Sequence, residues 1–218
     1  MKKKFIDKQV SIIEKTKRIY MGKHVSYIWE HDTKHLAFSL SRYKFVSKML
    51  EGYNSVLEVG AGDGFMSKIV KLNTKKLSLS DADYRNRDEF KSHSKEKNEY
   101  IVHDFTKKKL NRKFDGIYSL DVLEHIKRSR EKVFIKNLTL SLNKSGSLII
   151  GMPTIESQKY TTKINKIVHV NCKSKEELRK LMLNFFKNVF MFSMNDEVVH
   201  TGFDRMSNYI FAICANKK

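Results

Sequence analysis

At 218 residues the chain has room for one domain with a sizeable core and a short appendage, not for two full domains. Its formal net charge of +19 favours acidic partners, yet only nine of the 43 basic residues are Arg, and a Lys surplus beside many Asn and Ile is also what an AT-rich genome writes on any solvated surface. Two cysteines outside any C-x-x-C or zinc spacing exclude a disulfide framework, and no apolar run reaches membrane-span length, so the expectation is a cytoplasmic protein with no membrane span and no metal site.

The N-terminus is basic like the start of a signal peptide, but charged residues recur too soon after it for an apolar region to form. Residues 5–21 carry Ile6, Val10, Ile13 and Tyr20 at helical spacing among lysines, which predicts an amphipathic helix outside the main sheet. A polar interval over residues 22–32 precedes a second helical stretch over 36–50, ended by Gly52. These elements predict an N-terminal helical unit over 1–50 and a main domain over 51–218.

Residues 56–65, Val-Leu-Glu-Val-Gly-Ala-Gly-Asp-Gly-Phe, are a buried-strand run that breaks into alternating glycines where a helix should begin. That turn cradles a nucleotide-bearing cofactor. The dinucleotide fingerprint G-x-G-x-x-G/A fails at Phe65, and two acids, Glu58 and Asp63, would repel a pyrophosphate. They suit a ligand with an ammonium group and no phosphate, such as S-adenosylmethionine.

Strand and helix then alternate: a helix over 65–72, strands at 77–80, 100–103, 114–120 and 147–151, and helices over 130–142 and after Ser174-x-x-Glu177, a capping box. A loop is expected over 153–169. Two last strand-like runs, 188–192 and 208–214, have no crossover helix between them and predict an antiparallel hairpin. Asp81 ends the second strand about twenty residues after the turn, where a carboxylate grips ribose hydroxyls, with Ala82 beside the adenine and Asp83 as its competitor. Asp104 and Phe105, ending the third strand, offer an acceptor for the adenine amino group and a flanking ring.

Glu58-Val59-Gly60-Ala61-Gly62-Asp63-Gly64 resembles the E-x-G-x-G-x-G motif of class I S-adenosylmethionine-dependent methyltransferases, and Asp121-Val122-Leu123-Glu124-His125 resembles the D-V-L-E-H segment of the group acting on ubiquinone precursors, sugars and small metabolites. The resemblance implies an α/β, Rossmann-like, doubly wound seven-stranded sheet with an antiparallel C-terminal hairpin and an N-terminal helical lid. It implies that backbone near Leu120 holds the methionine end, that His125 borders the methyl-transfer site, and that His169 faces the acceptor. In the lid, Arg42 is a candidate partner for the cofactor carboxylate, and Trp29, His31 and Tyr43 are candidate acceptor contacts. The polar loop around Asn195 and His200 can reach over the pocket.

Methyl transfer from a sulfonium is an in-line displacement, and a hydroxyl acceptor needs a base, for which His125, His169 and His200 are the candidates. O-methylation of a small, sugar-like, nucleotide-linked or phosphorylated metabolite is the expected reaction. An RNA methyltransferase is the rival the charge favours, but the Asn/Asp-Pro-Pro-aromatic motif for exocyclic amines is absent after the fourth strand. A non-catalytic cofactor-binding scaffold is the rival from another class.

Overall fold

The computed structural model describes residues 2–16, 18–94 and 98–218; residues 1, 17 and 95–97 lie outside the described residues, 17 within the predicted first helix. Eight strands make one sheet: β1 (Ser55–Val59), β2 (Lys76–Asp81), β3 (Glu99–Val102), β4 (Phe114–Leu120), β5 (Leu142–Pro153), β6 (Phe186–Asn195), β7 (Val198–His200) and β8 (Tyr209–Lys217). Their order is β3-β2-β1-β4-β5-β8-β6-β7. The first five run parallel; β8 inserts antiparallel between β5 and β6. The expected seven strands are therefore present, and the three-residue β7 closes the edge beyond them.

Strand order reverses between β1 and β4, so the loops leaving their carboxyl ends diverge and open a crevice. This crevice receives the glycine turn and the D-V-L-E-H segment. The strands are apolar on both faces because helices cover both. On one face Phe134, Ile135 and Leu138 of α6 (Arg128–Leu140) and Leu178 and Met182 of α8 (Lys175–Leu183) pack on Leu57, Ile117 and Ile150. On the other, Val46 of α3 (Thr33–Met49), Val70 of α4 (Ser67–Lys71) and Phe90 of α5 (Tyr84–His93) pack on Val56, Leu79 and Tyr118.

Helix α1 spans Lys2–Glu14 and exposes Phe5, Ile6, Ile12 and Ile13. The polar interval at 22–32 is not a loop: it contains α2 (Lys23–His31). Only Val25 and Ile28 of α2 are buried, against Leu36 and Met66, too few to give a visible apolar period. Its N-terminus is capped from a distance, because Asp63 Oδ2 accepts from the Val25 N–H at 3.2 Å. The loop expected over 153–169 likewise holds a short helix, α7 (Lys163–Val168). At α8 the Ser174–Glu177 capping box forms with both of its hydrogen bonds.

Candidate active site

The glycine turn leaves β1 with left-handed backbone at Gly60 (φ 84°) and Gly62 (φ 56°). A Cβ on Gly60 would strike the Val122 side chain, so that glycine lets the turn lie against the D-V-L-E-H segment; above Gly62 there is no atom within 4 Å of a would-be Cβ. The first is a packing glycine and the second faces open space, the cradle a flat ligand needs. The rim is fixed by Asp81, whose Oδ2 accepts from Gly62 N–H at 3.1 Å and whose Oδ1 accepts from Asp83 N–H at 2.9 Å. Tyr100 donates its hydroxyl to the Gly62 carbonyl at 2.6 Å.

The acids sort themselves by partner. Asp81 stands at the end of β2 beside exposed Ala82, with spare acceptor capacity toward the crevice. Asp83 is the N-cap of α5, bonded to the Arg85 N–H and guanidinium, which removes it as the ribose candidate. Asp63 faces α2 and its own turn, accepting from Val25 and Phe65 N–H groups, so it does not present charge to the cofactor as its place in the motif suggests. Asp104 is committed locally: Oδ1 accepts from the Thr106 N–H and hydroxyl, and Lys107 sits 3.3 Å from Oδ2. Phe105 is 2% exposed within the core, so it supports this end from beneath and offers no face to an adenine ring.

Glu58, 1% exposed, lies below the turn. It accepts from the hydroxyls of Tyr43 at 2.7 Å and Tyr118 at 2.6 Å. Burial pushes its carboxyl up to about 7, against the pull of its hydrogen bonds. Tyr43, expected to meet the acceptor, is instead spent on this carboxylate. Arg42, expected to meet the cofactor carboxylate, pairs with Asp121 at 3.0 and 3.1 Å and lies over the Tyr209 ring, 4.0 Å from its centroid. Asp121 follows β4 in a left-handed conformation (φ 55°), rare for a non-glycine residue, and its side chain is 40% exposed. Leu120, just before it, and Ala61, within the glycine turn, are buried in one apolar cluster.

Beyond Asp121 the chain turns once through Leu123–His125 and sets two histidines together. The rings of His125 and His169 are 5.0 Å apart, edge to face. His125 Nδ1 is 3.1 Å from the Val168 carbonyl and His169 Nδ1 is 2.9 Å from Gln158 Oε1. Both partners only accept, so each Nδ1 carries a proton, and in the neutral form each ring keeps its lone pair on Nε2. Burial and the neighbouring His125 pull the His169 pKa below 6.5. Asn171 holds this arrangement: its N–H donates to the Glu124 carbonyl at 3.0 Å, and its amide reaches the Leu123 carbonyl and Glu131. Lys173 donates to Asn171 and pairs with Glu131 at 2.8 Å, both nearly buried.

A family profile described as a methyltransferase domain matches residues 22–186, three quarters of the chain. The chain belongs to this methyltransferase family. Its methyl donor is S-adenosylmethionine, and the open Gly62 cradle with Asp81 on its rim fits that group. Among solved structures, the plantazolicin methyltransferase BpumL in complex with S-adenosylhomocysteine is similar with a TM-score of 0.68, at 14% identity over 88% of each chain. DhpI, also in complex with S-adenosylhomocysteine, has a TM-score of 0.63 at 14% identity over 88% of each chain. The N-methyltransferase NodS from Bradyrhizobium japonicum WM9 has a TM-score of 0.60 at 16% identity, over 84% of this chain and 86% of its own. A search of curated proteins finds no match.

Four expected acceptor-side residues of the methyltransferase are placed elsewhere. In His200 the Nδ1 accepts from the Gly202 N–H at 3.1 Å and Nε2 meets Asn195 Oδ1 at 2.7 Å, so the ring's lone pair is used and it cannot serve as base. Asn195 spends its amide on that histidine and on the Met206 carbonyl. Both residues lock the terminal hairpin. Trp29 is 55% exposed on α2, and His31 stacks on Tyr27 at 4.2 Å. Neither packs with Val25 and Ile28, the residues by which α2 meets the protein. Conversely, Asp121, Glu124, Tyr118 and Tyr209 belong to the site although the sequence reading gives none of them a role. For the first two the D-V-L-E-H segment is a usable signal; for the tyrosines the sequence holds none.

Proposed function

We propose that the methyltransferase O-methylates a small anionic metabolite, sugar-like, nucleotide-linked or phosphorylated, in the cytoplasm, with the hydroxyl proton withdrawn at His125 and His169. One observation carries this reading: two imidazoles beyond the carboxyl end of β4 direct Nδ1–H to Val168 and Gln158, which leaves Nε2 of each as the atom that can take a proton. A hydroxyl is the acceptor that needs them, since its proton must leave as its oxygen attacks. S-adenosylmethionine supplies the methyl group, on a positively charged sulfur. The residues of this chain align the acceptor oxygen behind that carbon, and alignment alone is worth roughly 7 to 11 kcal/mol. In this reading α2 is the lid that excludes water, and the Lys-rich surface draws in an anionic acceptor. Both cysteines are free, as a reducing compartment requires.

Incubation with labelled cofactor and a panel of nucleotide sugars, sugar phosphates and total RNA tests the proposal. Label is expected in a small molecule, with His169→Ala lowering kcat roughly 100-fold or more. Label in RNA, or an undiminished kcat in that variant, would overturn it.

A further inference from the structure

Glu124, His125 and His169 each offer one ligand atom, and the three atoms lie within 4.8 Å of one another. We infer that this triad binds a divalent first-row cation such as Zn²⁺, Co²⁺ or Mn²⁺ at the acceptor end of the crevice. Three features of the side chains carry the inference. The first is Glu124, 1% exposed, whose Oε2 has no hydrogen-bond partner and whose Oε1 is the oxygen turned toward His125. A buried carboxylate oxygen without a donor is costly, and a cation removes the cost. The second is the state of both imidazoles: each donates Nδ1–H to an oxygen acceptor, the support that metal-bound histidines receive, and each keeps its Nε2 lone pair. The third is separation. Ligand atoms on a four-coordinate ion stand about 3.3 Å apart, given bonds of about 2.0–2.1 Å. His125 Nε2 is 3.9 Å from Glu124 Oε1 and the three atoms lie within 4.8 Å, so the side chains would close by up to about 1.5 Å on a bound ion.

Two nitrogens and one carboxylate oxygen select borderline cations over Mg²⁺ and Ca²⁺, which prefer all-oxygen sets. Three protein ligands leave an open position, and Asp121 adds negative charge that acts on both Glu124 and His169. The inference rests on the acceptor oxygen docking here. With a cation bound, the two Nε2 lone pairs would be occupied, and an acceptor hydroxyl made more acidic on the cation would lose its proton to solvent water; in the metal-free protein the histidines take it.

The test is a titration of tag-free, chelator-stripped protein with Co²⁺, read by visible absorption and by the metal retained after gel filtration. One equivalent is expected, with affinity at least tenfold lower in Glu124→Gln and in His169→Ala and unchanged in His24→Ala. No retained cobalt, or equal affinity in wild type and both ligand variants, overturns the inference. Should Glu124→Gln fail to fold, His169→Ala decides alone, since His169 is outside the core. No acceptor is present in the titration, so an empty site leaves the O-methylation reading standing, and label in RNA would sink that reading without touching the cobalt result.

Discussion

Glu58 shows how one residue in a motif is governed by what surrounds it. Its carboxyl titrates near 7 when folded and near 4.5 in the open chain, so the folded state holds the proton more tightly between those values. The stability it contributes is full below about 4.5 and is lost as pH rises through about 7, a loss of about 3 kcal/mol. Chemical denaturation at about pH 5 and pH 8 should show Glu58→Gln losing less stability than wild type over that interval, by about that amount. A wild-type loss equal to the variant's would mean Glu58 is already ionised at the lower pH. Gly62 makes a second residue-scale case. Its φ of 56° makes any side chain cost roughly 1–2 kcal/mol, yet the space above it is empty. Gly62→Ala should therefore remain folded and bind S-adenosylhomocysteine at least tenfold more weakly by calorimetry. Asp81→Ala, which frees the rim of the same turn, should weaken that binding to a similar degree. The glycines and acids of this turn are legible as letters, because few residue types tolerate such backbone. Which acid faces the ligand is not, since Asp63 turns away to a helix 38 residues upstream.

At the scale of elements, strands β1, β4 and β8 and helices α3, α6 and α8 lie where apolar runs and a capping box put them. Helix α2 and helix α7 do not show in the pattern, because α2 buries only Val25 and Ile28 and takes its cap from Asp63, and α7 buries no residue at all. The segment after β5 shows the same limit. His169 meets His125 only because Asn171 and Lys173 are stitched to the D-V-L-E-H turn and to Glu131, a set of bonds spanning some 40 residues. Lys173→Met leaves Glu131 without its cation and should cost about 3–5 kcal/mol in a denaturant titration, most of it regained by adding Glu131→Gln. If the double variant is no more stable than the single one, packing of the lysine stem, and not the ion pair, holds the loop.

For the whole molecule, the placing of β8 decides what can be removed. The strand is paired along both edges, with β5 on one side and β6 on the other, and it brings Tyr209 under Arg42. A chain stopped after Asn208 should fail to fold, because β6 and β7 then lose the strand that hydrogen-bonds them to the parallel half. Removing residues 1–16 should leave the melting temperature within about 2 °C, since Phe5, Ile6, Ile12 and Ile13 of α1 are exposed. A large drop on that N-terminal deletion would show α1 docked against the sheet in solution.

The bond between Asp63 and the first turn of α2 joins two parts with different duties. The glycine turn carries the open Gly62 cradle, while α2 packs beside that turn through Val25, Ile28 and Met66. With the carboxylate of one serving as the end-cap of the other, raising the helix pulls on the turn, and loosening the turn strips the helix of its cap. If α2 is the lid proposed above, its lifting and the loosening of the turn are coupled through this bond, alongside the Lys23 N–H to Glu89 contact and the apolar contacts of Val25 and Ile28.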